Sequence, residues 1–362
     1  MDANGKCVDV SSTLDEYLRK RLKPVEGAIP QLTGIEMYGN SISAANADGD
    51  LFEYINFQQR YNIDARIEHA KLLSKKYLET HSESSAQNLV DVHLQWLKSR
   101  PEYTPNDANQ YRKAKSSEQQ RIAENLQELY TTAGVLLVDA QGHGSIAAKI
   151  ASTVHDTFHT AMLCELDLNG KTTANVFEII NLRLAQSVTA RNALGIDTDS
   201  SREIATMVYG EVRPDGLFRF VNFGHPPPLV FSAEYGRFME IGRASVVQFP
   251  SLGLEIPEDH PDRSKYVSLM LRRSQMTSND LDEITLMNRG DIIFLYTDGV
   301  YDGDDEAEKQ EIEKIIQEHK QEPAKEICDA ILHYALLKDD HLRRIGEPDR
   351  IDDKTVFIIK RG

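Results

Sequence analysis

Two continuous apolar runs, each followed by an aspartate and a glycine, stand out in the hydrophobic pattern of this chain of 362 residues. Residues 135–138 form the first run and Asp139 ends it, with Gly142 three positions later. The second run lies within residues 290–298 and ends at Asp298. Short apolar runs of this kind are typical of strands buried on both faces. The pattern therefore predicts two buried strands, each of which presents a carboxylate at its end.

The rest of the chain shows the periodicities of both strands and helices. Alternating or apolar segments predict further strands at residues 34–44, 51–57, 206–213, 217–223, 224–231 and 351–359. Apolar residues at helical spacing predict helices at residues 65–78, 85–97, 117–129, 145–164 and 174–193, and residues 304–343 are acidic and helix-forming. Residues 262–288 alternate in the manner of a strand with polar loops.

These elements suggest a polar N-terminal arm followed by one long domain. Residues 1–33 are polar and contain two helix-ending prolines, so they are interpreted as an arm or linker. Residues 34–362 carry all the predicted strands, and a highly charged helical block at about residues 64–132 interrupts them. Each helix of this block has its apolar residues in one stripe, which predicts a small helical bundle.

The charge balance and the cysteine content narrow the class of protein. With 57 acidic and 41 basic residues the formal net charge is −16, which argues against nucleic acid or an anionic membrane surface as the main partner. The three scattered cysteines lack CxxC spacing and suggest a reducing compartment, with neither zinc nor disulfides. No apolar run approaches the roughly 18 residues of a membrane span, and the N-terminus lacks the layout of a signal peptide. The composition therefore predicts a soluble, cytoplasmic protein.

Four acidic turns lie at the ends of predicted strands, at Asp50, Asp139, Asp298 and the pair Asp352 and Asp353. Hard divalent cations prefer carboxylate, carbonyl and water oxygens, and neither histidine nor cysteine accompanies these acids in ligand spacing. Carboxylates that converge without cations repel each other and are costly to bury. Two metal ions about 3.5–4 Å apart would neutralise them and activate a water for in-line displacement. Each turn alone is equally well explained by ordinary Asp-Gly turn chemistry, but the combination of four favours a metal centre.

Five motifs occur along the chain in the order of a known family. They are Ala47-Asp-Gly-Asp50, Asp139-Ala-Gln-Gly-His-Gly144, Asn222-Phe-Gly-His-Pro-Pro-Pro-Leu229, Leu295-Tyr-Thr-Asp-Gly-Val300 and Asp352-Asp-Lys-Thr-Val356. In these motifs the sequence resembles the SpoIIE/RsbU-type bacterial branch of the PPM (PP2C-like) metal-dependent serine/threonine phosphatases, over about residues 34–60 and 134–360. The resemblance implies an α+β fold, an αββα sandwich of two antiparallel sheets flanked by helices, with the helical block inserted.

The resemblance also implies a role for each acidic turn. Asp139 would bridge two Mn²⁺ or Mg²⁺ ions, and the carbonyl group of Ala140 would bind one of them. Asp298 and Asp352 would hold the other ion, while Asp50 would act directly or through a metal-bound water. Asp139, Asp298 and Asp50 are thereby the implied catalytic residues.

The sequence departs from the family pattern in three places. One is the helical block at about residues 64–132, which interrupts a normally short connection, and the other two leave residue roles open. Asp48 stands where the family usually has glycine, and its role is unassigned. Gln141 occupies the position of a histidine that eukaryotic relatives use as a proposed general acid. His143 follows two residues later, and it is at least as well explained by orienting the turn as by acid chemistry. His225 and the prolines after it are interpreted as shaping a turn.

The function implied by the resemblance is hydrolysis of a phosphoserine or phosphothreonine monoester in a protein, through a metal-bridging hydroxide. The usual substrate in this branch is a phosphorylated STAS-type anti-sigma-factor antagonist within a partner-switching pathway, and a homodimer is compatible with it. Two alternatives stay open at this point. One is a non-catalytic PP2C-like binding module that docks a partner, and the other is a phosphomonoesterase for small molecules.

Overall fold

The computed structural model describes residues 29–44, 49–78, 99–100, 102, 104–142, 144–193, 203–239, 246–254, 256, 258–274, 281–303 and 305–362. The strands are Ile35–Ile42 (β1), Asp50–Asn56 (β2), Ala133–Ala140 (β3), Ala205–Val212 (β4), Leu217–Phe223 (β5), Leu229–Ser232 (β6), Arg237–Met239 (β7), Gln248–Phe249 (β8), Asp282–Thr285 (β9), Ile292–Tyr296 (β10) and Lys354–Arg361 (β11). The helices are Phe57–Tyr61 (α1), Ile63–Leu78 (α2), Pro105–Glu128 (α3), Ser145–Asn169 (α4), Ala174–Ala193 (α5), Arg263–Ser274 (α6), Glu306–His319 (α7) and Ala324–Ile345 (α8). Short 3-10 helices cover Leu129–Thr131 and Pro348–Arg350. Within the described ranges, no helix combines the length and the apolar character that a membrane span requires.

The strands form two sheets that are antiparallel almost throughout. The first sheet has the order β1-β11-β10-β6-β7, and the second has the order β2-β3-β4-β5-β8, with β9 paired to β5. The one parallel pair among these ladders joins β5 to the two-residue strand β8. The central strands β3 and β10 are the apolar runs that the sequence predicts to be buried.

The main core lies between the facing surfaces of the two sheets. Alternate side chains of β2 and β3 point into it, among them Phe52, Tyr54 and Leu137. Phe357 of β11 meets them from the other sheet, with ring centroids 6.0 Å from Phe52 and 5.1 Å from Tyr54. Burial of these aromatic rings is a main source of stability, because each removes a large apolar area from water.

Helices cover the outer face of each sheet. On the first sheet, buried side chains of α7 and α8, including Ile312 and Ile331, pack against Phe294 and its neighbours. On the second sheet, Phe158 of α4 lies 5.3 Å from the Tyr209 ring and Phe177 of α5 lies 5.7 Å from it. The layers are therefore helix, sheet, sheet and helix, which confirms the predicted α+β sandwich.

The structure corrects the interpretation of residues 262–288. Instead of a strand with loops, the segment begins with helix α6, and only β9 is a strand. Residues 263–274 contain no glycine or proline and are rich in Leu, Met, Lys and Arg, which have high helix propensity. Arg273 at the end of α6 is buried and forms an ion pair of 2.6 Å with Glu178 of α5. This tertiary contact fixes the helix in a segment where the apolar positions alone are ambiguous.

Two other predictions differ from the structure or fall outside it. The last strand does not begin at residue 351 but at Lys354, because a 3-10 turn and two aspartates that turn toward other partners precede it. The predicted helix at residues 85–97 lies outside the described residues, as does most of the predicted arm at residues 1–33.

The chain divides into two compact units, and both sheets belong to the first, Met1–Asn56, Thr131–Ala161 and Ala174–Gly362. The second unit comprises Phe57–Tyr130 and Met162–Thr173. In it, Gly170 lies so near α3 that a Cβ atom would be 2.4 Å from the carbonyl oxygen of Ile122. The predicted block at residues 64–132 supplies most of this unit, and residues 162–173 join it without any signal in the sequence.

Candidate metal centre

Asp50 and Asp139 lie directly opposite each other on neighbouring strands. They are register partners in the antiparallel pair of β2 and β3. Because side chains alternate along a strand, Asp50 shares a face with Phe52 and Asp139 shares a face with Leu137. Both of these apolar residues belong to the core between the sheets. The two carboxylates therefore lie at the end of the sandwich and face the other sheet.

The other sheet brings a second pair of acidic turns to the same end. Thr297 and Asp298 follow β10, while Asp352 and Asp353 precede β11. The amide group of Thr297 donates to the carbonyl oxygen of Thr355 at 3.1 Å. A Cβ atom on Gly299 would lie 2.0 Å from the carbonyl oxygen of Asp353, so only glycine permits this approach.

Threonine hydroxyls connect the two sheets at Asp50. The hydroxyl groups of Thr297 and Thr355 each donate to Oδ2 of Asp50 at 2.7 Å. These hydrogen bonds fix the orientation of a carboxylate that is itself 4% exposed. The sequence motifs contain both threonines, but reasoning from the sequence assigned them no role. Their signal was their position, one residue before Asp298 and three residues after Asp352.

Asp353 has a different set of partners from Asp352. Its Oδ1 accepts the amide of Ala44 at 2.7 Å, and its Oδ2 accepts the amide of Gly49 at 2.6 Å. Asp352 instead accepts the amide of Asp353 at 2.8 Å. Asp353 thus holds the backbone at Ala44 and Gly49, just before Asp50. Among the described residues, Asp352 uses only one of its two oxygens in a hydrogen bond.

Burial and mutual repulsion raise the pKa of three of these carboxylates. Burial, followed by the charges of Asp298 and Asp352, raises the pKa of Asp139 from 3.8 to about 8. Burial and the charge of Asp139 also raise the pKa of Asp50 well above its usual value, although the two threonine hydroxyls oppose that shift. Burial and then Asp352 raise the pKa of Asp298. A group of oxygen ligands that repel one another in this way fits divalent cations, which would remove the repulsion.

The turn after Asp139 completes the cluster. Ala140 donates its amide to the carbonyl oxygen of Gly49 at 3.2 Å, and its own carbonyl oxygen lies 3.0 Å from where a Cβ of Gly49 would be. The structure therefore brings together the predicted residues Asp50, Asp139, Ala140, Asp298 and Asp352. Asp48 and His143, whose roles the sequence leaves unassigned, lie outside the described residues. Gln141 is exposed.

His225 joins the two sheets just behind the aspartates. Its Nε2 donates to the carbonyl oxygen of Tyr296 at 3.0 Å, so its Nδ1 accepts the hydroxyl of Thr206 at 2.8 Å. Thr206 is the register partner of Asp139, and Tyr296 lies two residues before Asp298. Burial lowers the pKa of His225 from 6.5 to about 4, although the bond to Tyr296 opposes the shift. His225 is therefore a neutral positioning residue, in agreement with the turn-shaping role predicted from the sequence.

Replacing His225 with alanine should lower the free energy of unfolding by roughly 2–4 kcal/mol at pH 7.5, because a cavity forms and two buried partners lose their hydrogen bonds. The unfolded chain takes up a proton on this histidine near pH 6.5, and the folded chain does so only near pH 4. The stability that the neutral imidazole of His225 contributes is therefore complete above pH 6.5, and it is lost as the pH falls toward 4. In urea denaturation the difference between wild type and His225→Ala should shrink at pH 5. A difference that is equal at both pH values would contradict a neutral buried imidazole.

The family model described as Stage II sporulation protein E (SpoIIE) matches residues 131–268 and 280–362, which together are more than half of the chain. No curated protein matches the sequence.

Three solved bacterial structures illustrate the similarity. The RsbU and RsbW domains of Rv1364c from Mycobacterium tuberculosis are 17% identical, with a TM-score of 0.48, over 92% of this chain and 61% of that one. The PP2C phosphatase domain with a regulatory fragment of SpoIIE from Bacillus subtilis is 12% identical, with a TM-score of 0.46, over 91% and 64%. The SiaA-PP2C domain of Pseudomonas aeruginosa is 12% identical, with a TM-score of 0.48, over 99% of both chains. The chain thus spans less than two thirds of the first two.

Proposed function

The chain belongs to the SpoIIE family, as its motifs predict, and we propose that it is a metal-dependent protein serine/threonine phosphatase. The observation that carries the proposal is the convergence of Asp50, Asp139, Asp298 and Asp352 at one end of the sandwich, with raised pKa values at the first three. A protein that used this fold only for binding would gain nothing from burying mutually repelling carboxylates, which is costly without cations.

Two Mn²⁺ or Mg²⁺ ions are the proposed cofactors. Asp139 would hold both ions and the carbonyl group of Ala140 one of them, while Asp298 and Asp352 would hold the second. Asp50 would bind directly or through a water. When bound, such ions activate a water for attack on phosphorus and neutralise charge on the phosphoryl oxygens.

The residues of the chain itself supply orientation. Thr297 and Thr355 hold one oxygen of Asp50 and leave the other for a metal or water. Asp353 fixes the backbone just before Asp50. His225 links Tyr296, two residues before Asp298, to Thr206, the register partner of Asp139. A centre with ligands fixed in this way needs little rearrangement during the reaction, which is a main source of catalytic power in phosphoryl transfer.

The proposed substrate is a phosphorylated protein, with a STAS-type anti-sigma-factor antagonist in a partner-switching pathway as the leading candidate. Family membership and the five sequence motifs support this choice. The alternatives are a non-catalytic binding module and a small-molecule phosphomonoesterase. The three functions differ in turnover and in substrate range, so one set of assays separates them.

We expect hydrolysis of p-nitrophenyl phosphate to require added Mn²⁺ or Mg²⁺ and to fall at least about 100-fold in excess EDTA, because oxygen-only sites hold labile ions. Activity should return when the metal is restored. A phosphoserine protein should be hydrolysed in the same buffer, and phosphorylated metabolites should not. Full activity in EDTA would contradict the metal centre. Turnover of metabolites alone would favour the phosphomonoesterase, and phosphoprotein binding without turnover would favour the binding module.

A further inference from the structure

Three side chains that the proposed phosphatase chemistry does not use converge on the outer face of the second sheet. Glu53 projects from β2, and His155 and His159 project from α4. The two histidines are four residues apart, so they share one face of the helix. All three residues belong to the first compact unit. The spacing of the histidines is visible in the sequence, but only the fold places a carboxylate opposite them.

This group, the Glu53–His155–His159 cluster, brings one carboxylate oxygen and two imidazole nitrogens close together. Nε2 of His155 lies 3.0 Å from Oε2 of Glu53, and Nε2 of His159 lies 2.6 Å from the same oxygen. The two imidazole rings are 4.5 Å apart and almost perpendicular. The side chains are 12–15% exposed, so they are nearly buried but still reachable by a small ion.

A hydrogen-bonded clamp between helix and sheet is the simplest alternative role for this cluster. Burial favours the protonated form of Glu53, but the hydrogen bonds from His155 and His159 outweigh it and lower the pKa of Glu53 to about 2. A clamp needs only one such bond, however, and here both imidazoles direct the same ring nitrogen at a single carboxylate oxygen. Three possible ligand atoms gathered this closely are also suited to a single metal ion.

We propose that Glu53, His155 and His159 form a second metal site, one that takes Zn²⁺ or a similar transition ion. Two imidazoles and one carboxylate are a common ligand set for zinc, with a water at the fourth position. The three ligand atoms lie within 4.8 Å of one another. Tetrahedral zinc with bonds of about 2.0–2.1 Å places its ligands roughly 3.3 Å apart, so small side-chain rotations would admit the ion.

A carboxylate also lies next to the outer ring nitrogen of His155. Oδ1 of Asp156 is 3.5 Å from Nδ1 of His155, at the outer limit of a hydrogen bond. Histidines that bind metals usually donate their second ring N–H to a carboxylate, a carbonyl group or water, which fixes the tautomer. Asp156 is placed to accept this proton once Nε2 of His155 is occupied by the metal.

The two sites differ in chemistry and in position. Imidazole ligands select Zn²⁺ and similar ions, whereas the aspartate centre, with oxygen ligands alone, suits Mg²⁺ or Mn²⁺. Glu53 lies three residues from Asp50 on β2, an odd interval that puts the two side chains on opposite faces of the strand. An ion at the cluster would join α4, which follows the Asp139 turn, to the strand that begins at Asp50. The absence of CxxC spacing argued against zinc from the sequence, but it does not bear on a site without cysteine.

The test uses the 362-residue chain, stripped of metal and returned to buffer with excess Mg²⁺ to saturate the aspartate centre. Titration with Zn²⁺ should show one further equivalent by calorimetry, and Co²⁺ should give the intense visible absorption of a four-coordinate imidazole site. His155→Gln, His159→Gln and Glu53→Gln should each weaken Zn²⁺ binding at least about 10-fold. His69→Gln, at an exposed histidine on another helix, is the matched control and should bind like wild type.

Each result decides for or against the second site, independently of the phosphatase proposal. The same titration in Asp139→Asn, which removes a ligand of the aspartate centre, should give unchanged Zn²⁺ binding. Zn²⁺ should also raise the melting temperature of wild type and Asp139→Asn but not of His159→Gln. If wild type takes up no Zn²⁺ and shows no Co²⁺ absorption, the cluster is only a hydrogen-bonded clamp. This conclusion does not depend on whether the variants fold. Equal Zn²⁺ binding in folded His155→Gln and His159→Gln would overturn the proposal as well.

Discussion

Replacing Asp139 with asparagine should reduce phosphatase turnover at least about 100-fold and weaken Mn²⁺ binding at the aspartate centre by a similar factor. Asparagine keeps the volume of the side chain but removes the charge that offsets the cations. Asp139 is the proposed ligand of both ions, so its loss affects the whole centre. Turnover of p-nitrophenyl phosphate and Mn²⁺ calorimetry measure the two effects. Asp259→Asn, at an exposed aspartate, is the control and should change neither.

The same variant should be more stable than wild type when both are free of metal. The folded state raises the pKa of Asp139 to about 8, so the metal-free wild type loses stability as the pH rises from about 4 through 8. Asparagine does not ionise and avoids this loss. Urea denaturation in EDTA should therefore give a higher free energy of unfolding for the variant than for wild type at pH 8. This difference should shrink as the pH falls toward 4. If Asp139→Asn kept wild-type turnover and Mn²⁺ affinity, Asp139 would not be a ligand of the aspartate centre.

The buried strands were the easiest part of the fold to predict, because burial on both faces leaves a continuous apolar run. The runs at residues 135–138 and 290–298 correspond to β3 and β10. Their terminal aspartates lie together because the two strands occupy facing sheets and end at the same edge. A motif read from the sequence can therefore identify acids that converge in the fold without any knowledge of which strands are neighbours.

Contacts between distant segments could not be predicted in this way. The hydroxyls that hold Asp50 come from residues 247 and 305 positions further along the chain. Helix α6 is ambiguous in its own apolar pattern and is fixed by the ion pair between the buried Arg273 and the partly exposed Glu178. The Glu53–His155–His159 cluster likewise depends on α4 packing over β2. In each case the decisive partner is set by tertiary structure, which local periodicity does not report.

Asp352 and Asp353 should respond to the same substitution in opposite ways. If both residues were in a strand, their side chains would point to opposite faces. Both precede β11, however, so their different roles are assigned from their hydrogen bonds. In Asp352→Asn the amide oxygen can still accept the amide of Asp353, and only the charge toward the metal is lost. We expect turnover and Mn²⁺ affinity to fall at least about 100-fold, with little change in the stability of the metal-free protein.

Asp353→Asn should instead destabilise the protein while it spares much of the metal affinity. Both oxygens of Asp353 accept backbone amides, from Ala44 and Gly49. Asparagine has one acceptor oxygen, so its NH₂ group would face one of these N–H groups and leave it without a partner. Losing such a buried bond costs roughly 1–3 kcal/mol, which urea denaturation in EDTA would detect. If Mn²⁺ titration showed the larger loss of affinity in Asp353→Asn, the metal ligand would be Asp353 and the assignment of Asp352 would be wrong.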